Sequence, residues 1–366
     1  MKSKIKLVVV LMSVAFLCFN AINLHAQEAK TSKALLDEAM KNIYSNPKKS
    51  IATGEQFLKK KGNDPILEYR YLMLLAQANV MTADYEKSLE YANRAIKLAE
   101  ENELFPSQIN ANTFLGNHYL RLNLEEKAWQ ALERSEKIIK NHPLPDSLDH
   151  IQGNVYLLRG YLFEADSKLQ QAINSFGKAA DIFRKTKNKA LGNINLAVSL
   201  THKGRVQLQE QQLDSSQYSF EEAIRISSNS NQNGVDAFAY LSLAEVYSKQ
   251  KKYQTSNQTL FKALQIAQNS TQLELIKEIY KSLSENYFKM NDLENYSRYD
   301  ERYKEALGKF DKSQTKSVEQ IAKTIQTKND ADKNWTFALI ALCGLLVILI
   351  LFLFFRSNKM KRKMNQ

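Results

Sequence analysis

Small residues recur along this chain in a triplet whose internal spacing is fixed. In each of six successive units, twelve residues separate the first member from the second and seven separate the second from the third. The first members are Ala76, Gly116, Gly160, Gly204, Ala244 and Ser284, the second are Ser88, Ala128, Ala172, Ser216 and Ser256, and the third are Ala95, Ser135, Ala179, Ala223 and Ala263. The sixth unit breaks the rule, with Tyr296 and Tyr303 at its second and third positions. The units themselves start 40 or 44 residues apart. A fixed spacing inside units of variable length is typical of stacked helical hairpins, whose two helices approach closely only where side chains are small. We call these positions the crossing positions.

The residues around the crossing positions resemble the tetratricopeptide repeat. In that family Leu-Gly and an aromatic residue mark the first helix, and alanines flanking an aromatic residue or leucine mark the second. Here "FLGNHYL" precedes "KAWQALERS", "LLRGYLF" precedes "QAINSFGKA", "HKGRVQL" precedes "SSQYSFEEA" and "LSLAEVY" precedes "TSNQTLFKA". The resemblance covers about residues 30–306, with two departures: a period longer than the family's usual ~34 residues, and polar Asn79 and Gln207 in aromatic positions.

A weaker hairpin precedes the six units. Apolar residues at helical spacing run from Leu35 to Ile43, Pro47 suits the first position of a second helix, and Gly62 to Pro65 ends that helix. Together with the family resemblance, this pattern predicts an all-α, right-handed αα-hairpin solenoid of about seven repeats over residues 27–306, capped by atypical first and last repeats.

One inter-repeat segment, "NHPLPDSLDH", contains two prolines. It is interpreted as an ordinary loop, with a break in the superhelix as the alternative.

Two apolar segments outside the repeats predict membrane anchoring. Residues 1–26 carry three lysines, a short apolar stretch and a terminal alanine, which is typical of a secretory signal peptide. Residues 335–355 are 21 uncharged residues, long enough to cross a bilayer as one transmembrane helix. The basic tail, 356–366, then predicts a cytoplasmic C-terminus and repeats on the other side of the membrane.

The net charge of +12 does not indicate nucleic-acid binding. The N-terminal segment carries three of these charges and the tail five, which leaves about +4 for the repeat region. A nucleic-acid-binding domain would concentrate basic charge on one surface. Both cysteines, Cys18 and Cys343, lie in the apolar segments, so the repeats are expected to contain neither a disulfide nor a thiolate site.

Residues 307–334 link the repeats to the predicted span. Val318, Ile321 and Ile325 form a thin apolar seam at helical spacing. Two interpretations remain open: an extension of the last repeat helix, or a stalk through which the protein forms a homodimer and transmits a change across the membrane.

Catalytic motifs were not found in the sequence. His118, His142, His150 and His202 form no metal-ligand pair at helical spacing, and no phosphate-binding loop or nucleophile elbow is present. His118 is interpreted as a packing or groove-lining residue, and both His118 and His202 are interpreted as structural rather than catalytic. The sequence therefore predicts a protein that is not an enzyme and has no cofactor or metal.

The family resemblance implies a concave groove lined by the first helices, with side chains just after the first crossing residue facing it. These candidate binding residues are Gln77, Asn117, Tyr161, Arg205, Glu245 and Glu285. One turn earlier lie Met73, Thr113, Leu157, Thr201, Leu241 and Lys281. The expected ligand is an extended peptide or a neighbouring protein.

The order of segments also resembles bacterial membrane sensors in which periplasmic tetratricopeptide repeats precede one span and a helix-turn-helix or histidine-kinase domain. Because the sequence ends at Gln366, we expect a shortened relative that acts through a partner, or an interrupted reading frame. The predicted function is a partner-binding module of a transmembrane signalling or transcription-regulatory system in the bacterial cytoplasmic membrane, with periplasmic repeats. The alternative is a passive envelope scaffold.

Overall fold

The computed structural model describes residues 31–43, 46–59, 64–227, 235–269 and 272–312. These residues form fourteen α-helices and one short 3-10 turn, and none of them is in a strand. The helices are α1 (31–41), α2 (Pro47–Leu58), α3 (Pro65–Met81), α4 (Tyr85–Glu101), α5 (Phe105–Arg121), α6 (Glu125–Asn141), α7 (Asp149–Ala165), α8 (Leu169–Lys185), α9 (Lys189–Gln209), α10 (Leu213–Ser227), α11 (Val235–Lys249), α12 (Tyr253–Asn269), α13 (Leu273–Lys289) and α14 (293–312).

The chain divides after Leu307 into two compact units. The first unit contains all the helices up to most of α14. Of the second unit, the structure describes only 308–312, the end of α14.

Consecutive helices pair into seven hairpins, from α1/α2 to α13/α14. We call the odd-numbered members first helices and the even-numbered members second helices. Each hairpin from α3/α4 to α11/α12 packs its two helices together, and successive first helices contact each other from α5 to α13. The prediction of an all-α array of seven hairpins is confirmed for the described residues, whereas the right-handed superhelix stays a prediction.

The N-terminal hairpin follows its sequence signals. Pro47 occupies the first turn of α2, and the side chain of Asn46 accepts a hydrogen bond from the Lys49 amide. Ser50 Oγ donates to the Ala39 carbonyl at 2.8 Å, which ties α2 to α1. Asp64 caps α3 rather than ending α2, which stops at Leu58.

The proline-containing segment before α7 is a packed loop. It includes the 3-10 turn Asp146–Leu148, and Leu144 and Leu148 pack against a core cluster formed by α5, α6 and α7. Its contacts with the core favour the interpretation of an ordinary inter-repeat loop.

The same turn joins first and second helices in six hairpins. Seven residues after each first crossing position, one residue adopts a left-handed conformation with φ between 55° and 61°. The next amide then donates back to the carbonyl five residues earlier, for example Lys168 N to Phe163 O at 2.7 Å and Gln212 N to Gln207 O at 2.9 Å. This is the Schellman motif, formed here without glycine: the left-handed residues are Ala83, Asn123, Ser167, Gln211, Lys251 and Asn291.

The crossing positions occupied by small residues are buried, and the structure shows what makes glycine necessary at two of them. A Cβ on Gly160 would lie 2.5 Å from the ring of Phe176, and one on Gly204 would lie 2.8 Å from the ring of Phe220. A Cβ on Gly116 would instead meet Leu158 of the following first helix at 2.4 Å. The small residues therefore make room for large side chains of neighbouring helices rather than only for a second backbone.

The last hairpin ends the array with a different surface. Tyr296 and Tyr303 replace the small crossing residues on α14 and are half-buried. Asp300 and Lys304 of α14 occupy the positions equivalent to Phe176 and Ala180 of α8, which pack in the core shared with α9. Asp300 and Lys304 instead form an ion pair at 2.7 Å. A polar outer surface on a terminal repeat is what a solenoid cap requires.

Several predictions fall outside the described residues. These are the signal peptide 1–26, the seam Val318, Ile321 and Ile325, the transmembrane helix 335–355 and the basic tail 356–366. Among the helices that the structure does describe, none combines the length and the apolar character needed to cross a membrane.

Candidate binding face of the first helices

The six predicted groove residues occupy one equivalent position on six successive first helices, and we call this set the first-helix row. Three of its members are exposed and three are half-buried. The exposed ones are Arg205, Glu245 and Glu285, and the half-buried ones are Gln77, Asn117 and Tyr161.

Side-chain contacts join the row between α7 and α9. Arg205 Nη2 donates to both carboxylate oxygens of Glu164, at 2.8 and 2.9 Å, and to Nδ1 of His202 at 3.2 Å. The ring of Tyr161 contacts the rings of His202 and Phe176 edge-on, with centroid distances of 4.7 and 5.3 Å. These contacts place residues of two successive first helices side by side on one surface.

The protonation states at this junction are fixed by burial. Burial and, second, the charge of Arg205 lower the pKa of His202 to about 3. His202 is therefore neutral near pH 7, with Nδ1 as the acceptor, because a guanidinium can only donate. Burial likewise raises the pKa of the Tyr161 phenol above its usual value. The junction is thus a preformed packing surface, and neither group is poised for proton transfer at neutral pH.

The row ends in two exposed carboxylates. Glu245 on α11 lies 3.9 Å from Lys249 Nζ and its side chain is 59% exposed. Glu285 on α13 belongs to no ion pair with any residue in the described ranges. Both carboxylates are accessible to a partner that carries positive charge.

The first two members are less available. Asn117 donates its amide to the Thr113 carbonyl of its own helix at 3.1 Å, and Gln77 is half-buried. This end of the row is uncharged and offers fewer free polar groups.

The positions one turn earlier are not a continuous part of the surface, contrary to the sequence prediction. Met73, Thr113 and Leu157 are buried, with 4 to 8% of their surface exposed. Thr113 also donates its hydroxyl to the carbonyl of Ile109. Among the equivalent residues only Lys281 is exposed, while Thr201 and Leu241 are half-buried. In the early repeats these side chains belong to the core, because a residue one turn earlier lies on the part of the helix surface that faces the neighbouring helices.

The sequence interpretation missed Glu164. It follows Tyr161 by one turn, and its partner Arg205 lies 41 residues further along the chain. The available signal in the sequence was an acidic residue, complementary to Arg205, one repeat earlier and one turn further along the first helix.

The other histidine singled out in the sequence, His118, is 3% exposed. It packs beside Tyr85 and Phe114, at centroid distances of 5.4 and 6.1 Å, in agreement with the predicted packing role. In the described part of the chain, no group of His, Cys, Asp or Glu side chains is arranged to hold a metal ion.

Comparisons with known proteins found likenesses of structure only. No protein-family model matches the chain, and no curated protein matches it. Among solved structures, the apo form of RapI is 14% identical, covers 76% of this chain and 77% of its own length, and has a TM-score of 0.57.

Two further neighbours are larger proteins. A STAND signal-transduction ATPase from Pyrococcus horikoshii with a tetratricopeptide repeat sensor is 17% identical, with a TM-score of 0.52; the match covers 76% of this chain and 41% of that protein. Cut9 in the APC/C hetero-tetramer Cut9–Hcn1 is 15% identical, with a TM-score of 0.53 over 69% of this chain and 43% of that chain. At these identities the likeness concerns the fold, and the chain has the fold of tetratricopeptide-type repeat proteins.

Proposed function

We propose that this protein is an interaction module whose first-helix row binds a protein or an extended peptide. The observation that carries the proposal is the continuity of the row across α7 and α9, followed by exposed carboxylates on α11 and α13. Arg205 is already neutralised by Glu164. The row is therefore uncharged over its first repeats and acidic over its last two, which fits a partner segment with basic residues at one end.

Two structural neighbours support a binding role by their own descriptions. The repeats of the Pyrococcus protein are a sensor, and Cut9 is assembled with Hcn1 in a hetero-tetramer. We propose no catalytic step for this chain, because the pKa of His202, the histidine that contacts Tyr161 and Arg205 of the row, is far below neutral.

We further propose that the module is anchored in the bacterial cytoplasmic membrane and takes part in signalling. This part rests on the sequence of residues 1–26, 335–355 and 356–366. In this arrangement the repeats face the periplasm and the tail lies in the cytoplasm. A passive scaffold that only tethers partners is the competing function.

Charge reversal at Glu245 tests the binding proposal. The tagged full-length Glu245→Lys chain is expected to recover at least about tenfold less partner than wild type after reversible cross-linking in cells, because one favourable charge contact becomes repulsive. Glu101→Lys on α4 is the matched control. Glu101 is also 59% exposed, and it lies 3.8 Å from Lys97. Equal recovery with both variants would refute a role for the first-helix row.

Membrane orientation and signalling are tested separately. A reporter fused after Gln366 is expected to be active only if it functions in the cytoplasm, and activity of a periplasm-only reporter there would reverse the orientation. Replacing Ile321 and Ile325 by serine, or deleting 357–366, is expected to abolish a downstream transcriptional response while partner binding persists. A scaffold would tolerate both changes.

A further inference from the structure

Two middle repeats depart from the others immediately before the first crossing position. Four first helices carry a leucine there, and all four leucines are buried: Leu75, Leu115, Leu243 and Leu283. In α7 and α9 the leucine is replaced by Arg159 and Lys203. A position that is otherwise core therefore carries a positive charge in two adjacent hairpins.

The two basic residues differ in their contacts. Arg159 is paired with Glu136, to which its Nε donates at 2.8 Å, and it lies 5.1 Å from the ring of Tyr156. Lys203 makes no ion pair or hydrogen bond with the described residues. Arg159 thus has an internal role that explains it. At position 203 the apolar burial of a leucine is lost, and Lys203 gains no ion pair or hydrogen bond with a described residue in exchange. Such local departures are typical of functional positions.

Lys203 lies in an open depression of about 300 Å³ between α8 and α10, with α9 beneath. Leu200 and Ala180 contribute apolar surface to it, and Tyr218, 66% exposed, stands at its side. The depression is open because α8 carries Gly177, where no atom lies within 4 Å of the site a Cβ would occupy.

The other charged side chains that line the depression are paired with one another. Arg184 bridges Asp181 at 2.9 Å and Glu222 at 3.0 Å. Arg225 lies 3.9 Å from Glu222. Among the side chains that line the depression, Asp181 and Glu222 are therefore both paired with Arg184, and the ammonium of Lys203 is in no ion pair with a described residue.

We propose that this depression is a second binding site, separate from the first-helix row, which takes a carboxylate side chain from an acidic segment of a partner protein. Lys203 donates to the carboxylate, and Tyr218 lines the same depression. One carboxylate neutralises Lys203. A phosphate dianion would bring excess negative charge beside Asp181 and Glu222, so the arrangement favours a carboxylate.

The test uses a hexaglutamate peptide as the probe and the full-length protein. Carbodiimide, which joins a carboxylate and an amine only when they are in contact, is expected to couple hexaglutamate to Lys203, as located by mass spectrometry. Filling the depression with Gly177→Gln is expected to reduce this coupling about tenfold, the effect of losing one charge-assisted hydrogen bond. Because a helical glycine is replaced where there is room, the variant is expected to fold at least as well as wild type.

Substitutions at the two basic positions give the matched comparison. Lys203→Leu restores the residue found in four other repeats and is expected to weaken site-specific hexaglutamate binding about tenfold in a titration, whereas Arg159→Leu should not. Coupling confined to other lysines, or equal affinity of Lys203→Leu and wild type, would overturn the proposal. Displacement of hexaglutamate from Lys203 by inorganic phosphate at a lower concentration than by acetate would also overturn it, since the site would then select phosphate.

Discussion

Helix crossings are packed differently in the middle hairpins, α7/α8 and α9/α10, and in the last hairpin, α13/α14. In the middle, Gly160 and Gly204 leave room for the rings of Phe176 and Phe220, which are fully buried. At the end, Tyr296 and Tyr303 occupy the positions of small residues on α14. The glycines let the aromatic rings of the second helices reach the first helices. On α14, Tyr303 instead packs against the core cluster of the last repeats, and Tyr296 contacts Phe288 of α13.

This difference matches the position of each hairpin in the array. A middle hairpin is covered on both sides and can bury large rings, while no other described helix covers the outer side of the last hairpin, which carries the Asp300–Lys304 pair. The middle hairpins also hold the junction of Arg205, Glu164 and His202. We infer that dense packing in the middle supports the candidate binding residues, and that the last hairpin serves to end the core.

The largest expected effect comes from filling a middle crossing. Gly160→Leu should lower the free energy of unfolding by about 3 kcal/mol, the upper part of the range for overpacking, because even its Cβ would collide with the Phe176 ring. Thermal and urea unfolding of the purified protein measure the change.

Gly177→Ala is the control for this substitution. It lies in α8 one residue after Phe176 but points into open space, so it is expected to stabilise the protein by up to about 1 kcal/mol. Unfolding of Gly160→Leu at the wild-type midpoint would show that the crossing is looser than the structure indicates.

A pH dependence is expected from the middle hairpins, which contain half-buried His202. In the unfolded chain this histidine binds a proton below about pH 6.5, whereas in the folded protein its pKa is about 3. Its contribution to stability is therefore complete above pH 6.5 and is lost as the pH falls toward 3, by at most about 1.4 kcal/mol per pH unit.

The variant His202→Gln keeps an acceptor for Arg205 and isolates the contribution of His202 to the pH dependence of stability. Between pH 7 and pH 5 the wild type should lose about 2 kcal/mol more than the variant in urea unfolding. Identical pH profiles would mean that the pKa of His202 is not lowered in the folded protein.

The sequence was sufficient to predict the number of hairpins, because small residues such as Gly160 and Ala172 repeat at a fixed distance that survives variable loop lengths. The sequence was not sufficient to predict which side chains of the first helices lie on the surface. Whether Met73 or Leu157 faces solvent depends on the rotation of each first helix against its neighbours, which the one-turn spacing does not record. The Arg205–Glu164 pair joins different repeats, so it becomes visible only when α7 and α9 are placed side by side.

The turn geometry was also not predictable. A left-handed residue at a helix end is usually glycine, yet this chain places Gln211 and Lys251 there. The hydrogen bonds of the repeated turn impose the conformation on residues that do not favour it.

The smallest expected effect concerns these turns. Gln211→Gly in the middle hairpin should raise the free energy of unfolding by about 1 kcal/mol, because glycine adopts the left-handed conformation without a steric penalty. Asn291→Gly in the last hairpin should gain less, since asparagine already tolerates this conformation. Thermal unfolding of the two variants measures the difference, and a larger gain at Asn291 would contradict the explanation.

The central claim is that the first-helix row contacts the partner, and site-specific photo-cross-linking in cells tests it most directly. A photoreactive residue placed at Arg205 or at Glu245 is expected to form an adduct with the same partner protein, because both positions belong to one exposed row. The same residue at Lys97, which is 77% exposed on the second helix α4, should yield no such adduct. Adducts of equal yield at Lys97, or adducts at Lys97 alone, would contradict the account.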